Sequence, residues 1–510
     1  MSEFLANIQL GLSTALSAEA LLFCFLGVTV GTVVGVLPGI GALAAISLAL
    51  PLTYYLDPTT ALIMLAGIFY GAQYGGSTAS ILLNLPGTAT SAITCLDGYP
   101  LAQQGKAPLA LFVTAINSFV GSSFAIVLVM GFAPLIAGFA LKFSSTEYFS
   151  VMLLGLVAAS TLSVGSPFKA LAMVVFGIVL GQVGTDVNTG MFRFNFGILE
   201  LADGFGLVAV AMGLFGVAEI MANVGQASGA PMGVKGMRFK DMIPSRSEWK
   251  EIWKPTLRGS VIGSFVGALP GTGPGIASLM AYAAEKRLSR DPSQFGKGSL
   301  AGLSAPEAAN NASVQAAFIP TLSLGIPGDA VVAVLMGAMI LHGITPGPNL
   351  INDQPAMFWG LIMSFWIGNL MLLFLNIPLI GLWVRLLSIP YRLLYPAIIL
   401  FICIGVYSAD NNVFDIYVVL AFGLIGYAMR KFSYPATPVL LGFILGPLLE
   451  EHFRRAMLLS HGDLTIFLQR PISLVFLLIS LMFLGSVFMP GLRSKLVSRV
   501  RRNAPSDDAD

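Results

Sequence analysis

The chain has 510 residues, 56% of them hydrophobic and only 10% charged, against about 25% charged in an average soluble protein. A soluble chain of this size could not hide so much apolar surface, and a net charge of +2 offers no field for an anionic polymer. Disordered, nucleic-acid-binding and ordinary cytosolic proteins are therefore excluded, and the chain reads as an all-α polytopic membrane protein. Met1-Ser2-Glu3 lacks the basic start of a cleavable signal, so the first hydrophobic helix is expected to remain in the protein.

In chain order, apolar stretches run at 21–37, 42–56, 61–85, 109–130, 133–143, 148–162, 170–183, 207–224, 261–284, 313–324, 330–341, 357–387, 395–406, 414–429, 438–449 and 472–488. Several are shorter than the ~20 residues a span needs, which predicts about twelve transmembrane helices plus re-entrant or discontinuous pieces. Cys24, Cys95 and Cys403 lie in apolar stretches without metal-ligand spacing and read as buried thiols. No Lys or Arg occurs from Met1 to Gly105, whereas basic residues crowd 235–258 and 493–502, and both stretches are placed in the cytoplasm. The predicted plan is a first repeat half (1–230), a basic cytoplasmic connector (231–258), a second repeat half (259–492) and a cytoplasmic tail (493–510).

The halves rest on an internal repeat. Gly27, Gly31, Gly35 and Gly39 recur as Gly259, Gly263, Gly267 and Gly271, and the same offset maps Leu37-Pro38-Gly39-Ile40-Gly41 onto Leu269-Pro270-Gly271-Thr272-Gly273. Further on, Asn84-Leu85-Pro86-Gly87-Thr88 pairs with Gly325-Ile326-Pro327-Gly328-Asp329, and Phe176-Gly177 with Phe422-Gly423. Glycine every fourth residue lets two backbones approach closely. Pro-Gly-x-Gly then stops the helix, and broken backbone within a bilayer survives only where it lines a protein-enclosed or watery cavity. Between Arg258 and Glu285 lie 26 residues, too few for two full spans, so a re-entrant hairpin with its tip at 270–275 is expected.

The breaks carry the polar groups. The predicted ligand-binding set is Pro38, Gly39, Gly41, Ser77, Thr78, Asn84, Gly87, Thr88, Gly271, Thr272, Gly273, Asn310, Asn311, Ser313, Gly325 and Gly328, with Glu307 and Asp329 as cation-coupling acids. Asn310 and Asn311 are costly in a nearly charge-free region unless bonded or functional. Glu307 could equally be an acid at a helix start, and Asp329 a plain N-cap. From Gly298 to Val384 there is no Lys or Arg, so an anion there must be held by neutral donors and helix N-termini. Carbonyls at broken helix ends suit Na+, and a site of both kinds couples the two ions.

With these motifs the chain resembles the large membrane subunit of the tripartite tricarboxylate transporters, the TctA family, over nearly its whole length. The carriers are Gly35-Val36-Leu37-Pro38-Gly39-Ile40-Gly41, Tyr74-Gly75-Gly76-Ser77, Asn84-Leu85-Pro86-Gly87, Leu269-Pro270-Gly271-Thr272-Gly273, Glu307-Ala308-Ala309-Asn310-Asn311-Ala312 and Gly325-Ile326-Pro327-Gly328-Asp329. The resemblance implies a transporter rather than an enzyme, in the bacterial inner membrane, taking up organic carboxylates by symport with Na+ or H+ and using no cofactor. It also implies two partners, a small membrane subunit and a periplasmic solute-binding protein, and an elevator-like mechanism. The Gly-rich breaks would also suit an ion channel. Ser77 with His342 would be the start of an intramembrane enzyme, though no base is placed by spacing.

Overall fold

In the computed structural model, residues 2–37, 41–163, 165–186, 189–223, 241–387 and 391–488 are described. Most of them are helical, and the one sheet among them is a two-residue pairing of Gly184–Thr185 with Phe192–Arg193. The first half begins with α1 (Ser2–Ala15), α2 (Ala18–Val36), α3 (Gly41–Thr53), α4 (Pro58–Leu83) and α5 (Thr94–Leu101). It continues through α6 (Ala107–Ala140), α7 (Ser145–Leu162), α8 (Pro167–Gly181), α9 (Leu207–Ala211) and α10 (Ala218–Asn223). The second half holds α11 (Arg246–Gly267), α12 (Gly273–Leu288), α13 (Leu300–Ala316), α14 (Phe318–Leu324) and α15 (Ala330–Leu341). It closes with α16 (Leu350–Asp353), α17 (Pro355–Asn376), α18 (Ile380–Leu386), α19 (Tyr391–Asp410), α20 (Phe414–Lys431), α21 (Thr437–Leu459), α22 (Ile466–Gln469) and α23 (Pro471–Phe488).

Local chemistry sets many of these starts. Asp57 caps α4, with Pro58 as its first residue, where a missing N–H costs nothing. Ser144 with Glu147 and Ser245 with Glu248 form reciprocal caps on α7 and α11. Because α11 starts at Arg246, the later part of the basic connector forms its first turns. Among the described residues, four helical stretches are long and apolar enough to cross a membrane: Ala18–Val36, Thr94–Ala140, Ser145–Leu162 and Pro355–Asn376. Shorter apolar helices accompany them. Thr94–Ala140 is kinked at Gly105 (φ 80°) by a π-type turn.

The glycine stripes position everything else. A Cβ on Gly27, Gly31 or Gly35 would land on the carbonyls of Met64, Ile68 or Ala72, and one on Gly71 or Gly75 on those of Val28 or Thr32. Helices α2 and α4 thus mesh backbone to backbone and run parallel, with α3 as the returning arm. The second half repeats this: Gly259, Gly263 and Gly267 lie on Ala305, Ala309 and Ser313, so α11 runs parallel to α13, with α12 between. Asn84 (φ 56°) ends α4 and Gly325 (φ 69°) ends α14, both left-handed and both two residues before the matched proline. Farther along, Gly177 of α8 packs on Val439 of α21, while Gly423 of α20 packs on Val217, which immediately precedes α10. The two glycines paired by sequence thus each meet a helix of the other half.

Candidate functional site

The hairpin of α11 and α12 folds back on itself. Arg258 Nε donates to Glu285 Oε2 at 2.8 Å. Each residue lies 13 positions from the tip (271 − 258 and 285 − 272), so the arms run antiparallel. At the tip Gly271 (φ 79°) and Gly273 (φ 69°) take left-handed backbone that other residues avoid. Thr272 Oγ1 closes the turn onto the carbonyls of Val266 (2.5 Å) and Leu269 (3.0 Å). The Gly271 N–H donates to the Gly328 carbonyl at 2.7 Å, and a Cβ on Gly273 would touch that of Asp329. The tip therefore closes on the second break of its own half. In the first half, Gly87 sits likewise against the Gly35 carbonyl near the end of α2. Pro38 and Gly39, predicted for that tip, lie outside the described residues; Gly41 opens α3 with φ 73° and open space around it.

Glu307, on α13 just after Pro306, ties the halves together. It is fully buried. Its carboxylate accepts from Ser77 Oγ of α4 at 2.7 Å, from Ser118 Oγ of α6 at 3.4 Å and from Thr94 Oγ1 of α5. Asn311, one turn on, donates to Ser118 Oγ at 2.8 Å and to the Glu307 carbonyl at 3.1 Å, while its own Oδ1 has no hydrogen-bond partner. Asn310 is 1% exposed with neither amide atom bonded, and Ser313 Oγ is equally unbonded. Ser278 of α12 donates to the Pro306 carbonyl at 3.2 Å. Since α12 and α13 are antiparallel, one turn further along α13 brings Asn310 level with the first turn of α12.

That first turn receives no side-chain cap, and Thr272 precedes it. Its free N–H groups are donors in search of an acceptor, with the positive end of the helix dipole behind them. Gly275 there lies against Thr90 of the first half. Thr90 Oγ1 donates to Gln73 Oε1 at 2.5 Å and lies 2.9 Å from Thr88 Oγ1. Thr88 is also held by the Ser91 hydroxyl. The structure thus brings Thr88, Asn310, Ser313, Gly271, Thr272, Gly273 and Gly328 around the tip of the second hairpin, and Ser77, Asn311 and Glu307 into the adjoining network. Thr78 is buried beside Ser77 on a small cavity. Asn84 and Gly325 serve as left-handed helix ends, with Asn84 exposed. Asp329 caps α15, its Oδ1 accepting the Val332 N–H at 2.8 Å, which is the plain N-cap role left open by the sequence.

Gln73, Thr90, Thr94 and Ser118 were missed by sequence reasoning. Gln73 and Ser118 had a signal, as polar residues inside apolar helices; the two threonines had none. Gln315, also buried with both amide atoms unbonded, was missed as well.

Apolar helices long enough to cross a bilayer, with halves that meet through broken helices and a buried carboxylate, define a helical integral membrane protein. A family model described as "Tripartite tricarboxylate transporter TctA family" matches residues 21–441, and the chain belongs to that family. The family forms part of a tripartite system, so the chain works with partner subunits. An Agrobacterium vitis protein, "Uncharacterized 52.8 kDa protein in TAR-I ttuC' 3'region", is 49% identical over 495 residues, 97% of this chain and 98% of the relative. A second from the same organism, "Uncharacterized protein in TAR-II ttuC' 3'region", is 52% identical over 220 residues, 43% of this chain and 91% of the relative. No solved structure matches the chain.

Proposed function

We propose that this chain is the large membrane subunit of a binding-protein-dependent secondary transporter that brings organic carboxylates, tricarboxylate or dicarboxylate, across the bacterial inner membrane with Na+ or H+. The observation that carries this reading is the uncapped first turn of α12 beside the unbonded amide of Asn310, one helix turn from Glu307. A carboxylate is the ligand such a site fits: it accepts from helix N–H groups and from the Asn310 amide. No arginine is needed, and none lies between Gly298 and Val384. The weaker hold of neutral dipoles lets the anion leave on the far side.

Glu307 supplies the cation side. A buried carboxylate bonded only by hydroxyls and an adjacent amide network either takes up a proton or keeps a cation nearby, so anion and cation load together. The exchanged contacts of Gly177 and Gly423 support two halves related by a pseudo-twofold axis, as in inverted-repeat transporters. In that plan the breaks move as one body, elevator-like, against the remaining helices. A periplasmic binding protein delivers the substrate, and a small membrane subunit completes the complex. Reconstitution with both partners tests this: radiolabelled tricarboxylate should accumulate only under an inward Na+ or H+ gradient, and uptake indifferent to both gradients rejects coupling.

A further inference from the structure

We propose that the junction of α4, α6 and α17 holds one dehydrated Na+-sized cation on neutral oxygens directly behind Glu307, a site distinct from the tip of the α11–α12 hairpin. A small cavity of about 10 Å³ lies there, near the ~10–15 Å³ that one water-sized guest requires. Tyr74, Ser77, Thr78, Thr114, Ser118 and Asn376 supply its polar wall.

The decisive feature is where the hydrogens go. Carboxylates and carbonyls only accept, so the direction of each bond is set by the partner. Ser77 and Ser118 donate to Glu307. Thr114 Oγ1 donates to the Leu111 carbonyl at 2.9 Å. Tyr74 donates to Asn369 Oδ1 at 3.1 Å. Asn376 Nδ2 donates to the Leu372 carbonyl at 3.0 Å. With those hydrogens committed, what these five oxygens turn to the cavity is lone pairs. A wall of acceptors suits a hard cation. The sixth polar residue, Thr78, keeps a hydroxyl hydrogen that none of these bonds commits, so a water could donate to the acceptors and accept from Thr78, and the salt titration below is what separates water from cation.

Asn376 makes the point by comparison with Asn369, two turns earlier on the same face of α17. Both amides donate backward to a carbonyl of their own helix. The Asn369 Oδ1 then accepts the Tyr74 hydroxyl. The Asn376 Oδ1, buried on the cavity, has no protein partner. Glu307, one hydroxyl away through Ser77 or Ser118, provides the compensating charge without direct contact. An ion here would hold Ser77 and Ser118 in the orientation that keeps Glu307 ionised. The ion site is argued from this geometry alone; its use in coupling rests on the transport reading above.

The test needs neither substrate nor partners. The full chain in lipid nanodiscs is unfolded thermally at constant ionic strength while NaCl replaces choline chloride, with KCl as the size control. The expected result is a saturable rise in Tm with Na+ alone, and about one 22Na+ bound per chain at equilibrium. Asn376→Ala and the near-isosteric Thr114→Val should each weaken apparent Na+ affinity about tenfold, as loss of one oxygen from a buried site would. Equal Tm in all three salts without 22Na+ binding overturns the site, as does an unchanged Na+ response in Thr114→Val, which keeps the test open should Asn376→Ala fail to fold. Na+ binding without carboxylate uptake would leave the site standing and reject the transporter reading; uptake without Na+ binding would do the reverse.

Discussion

Asn310 and Asn311 are neighbours in sequence and opposites in environment. Asn311 makes two hydrogen bonds that hold Ser118 and the Glu307 turn, so Asn311→Ala should lower stability by ~1–3 kcal/mol as well as impair uptake. Asn310 has no partner to lose. Asn310→Ala should leave Tm unchanged or raise it, because an unbonded buried amide itself costs ~1–3 kcal/mol, while substrate uptake collapses. Nanodisc melting beside proteoliposome uptake separates the two, and a large Tm drop in Asn310→Ala would return that residue to a packing role. Glu307→Gln keeps the shape and an acceptor oxygen but removes the charge. It should fold, and its uptake should no longer respond to the cation gradient; gradient-driven uptake at the wild-type level would exclude Glu307 from coupling.

Among the helices, the backbone contacts are what tolerate least. A Cβ on Gly263 would strike the Ala309 backbone, where no side chain can swing aside. Gly263→Val should therefore cost at least the ~1–3 kcal/mol typical of overpacking and reduce the yield of monodisperse protein. Gly131 and Gly485, with open space around them, should accept alanine without loss, which gives the measurement its control. Gly271→Ala combines a φ of 79° with a clash on Ala159 and should disrupt the tip, lowering uptake more than it lowers Tm. The glycine period and the Pro-Gly breaks were legible in sequence because both act on the backbone of their own segment. Thr94 and Ser118 were not, because nothing within their own helices marks them as carboxylate partners.

For the molecule as a whole, a second polar clip secures the base of the hairpin. Asp97 of α5 accepts three backbone N–H groups, from Gly296, Gly298 and Ser299 at 2.8–2.9 Å, and the Tyr282 hydroxyl at 3.0 Å. It binds the first half to the loop between α12 and α13. Hydrogen bonds to a charged group are worth roughly 1.5–3 kcal/mol each, so Asp97→Ala should destabilise strongly. Limited proteolysis should then cut within 291–299, and continued resistance of that loop would show that other contacts hold it.

Residence in a membrane, helical build, the two glycine stripes and the places where helices stop all follow from local terms: composition, the missing donor of proline and the freedom of glycine. Sequence alone thereby singled out Asn310 and Asn311 as polar groups too costly to be idle, and left Glu307 open between a coupling acid and an acid at a helix start. Which hydroxyls surround Glu307 was decided only by tertiary packing, since Ser77, Thr94 and Ser118 stand 230, 213 and 189 residues away in the chain. Their meeting depends on the register of four helices, set where glycine lets one backbone rest on another, and no pattern within a single segment encodes that register.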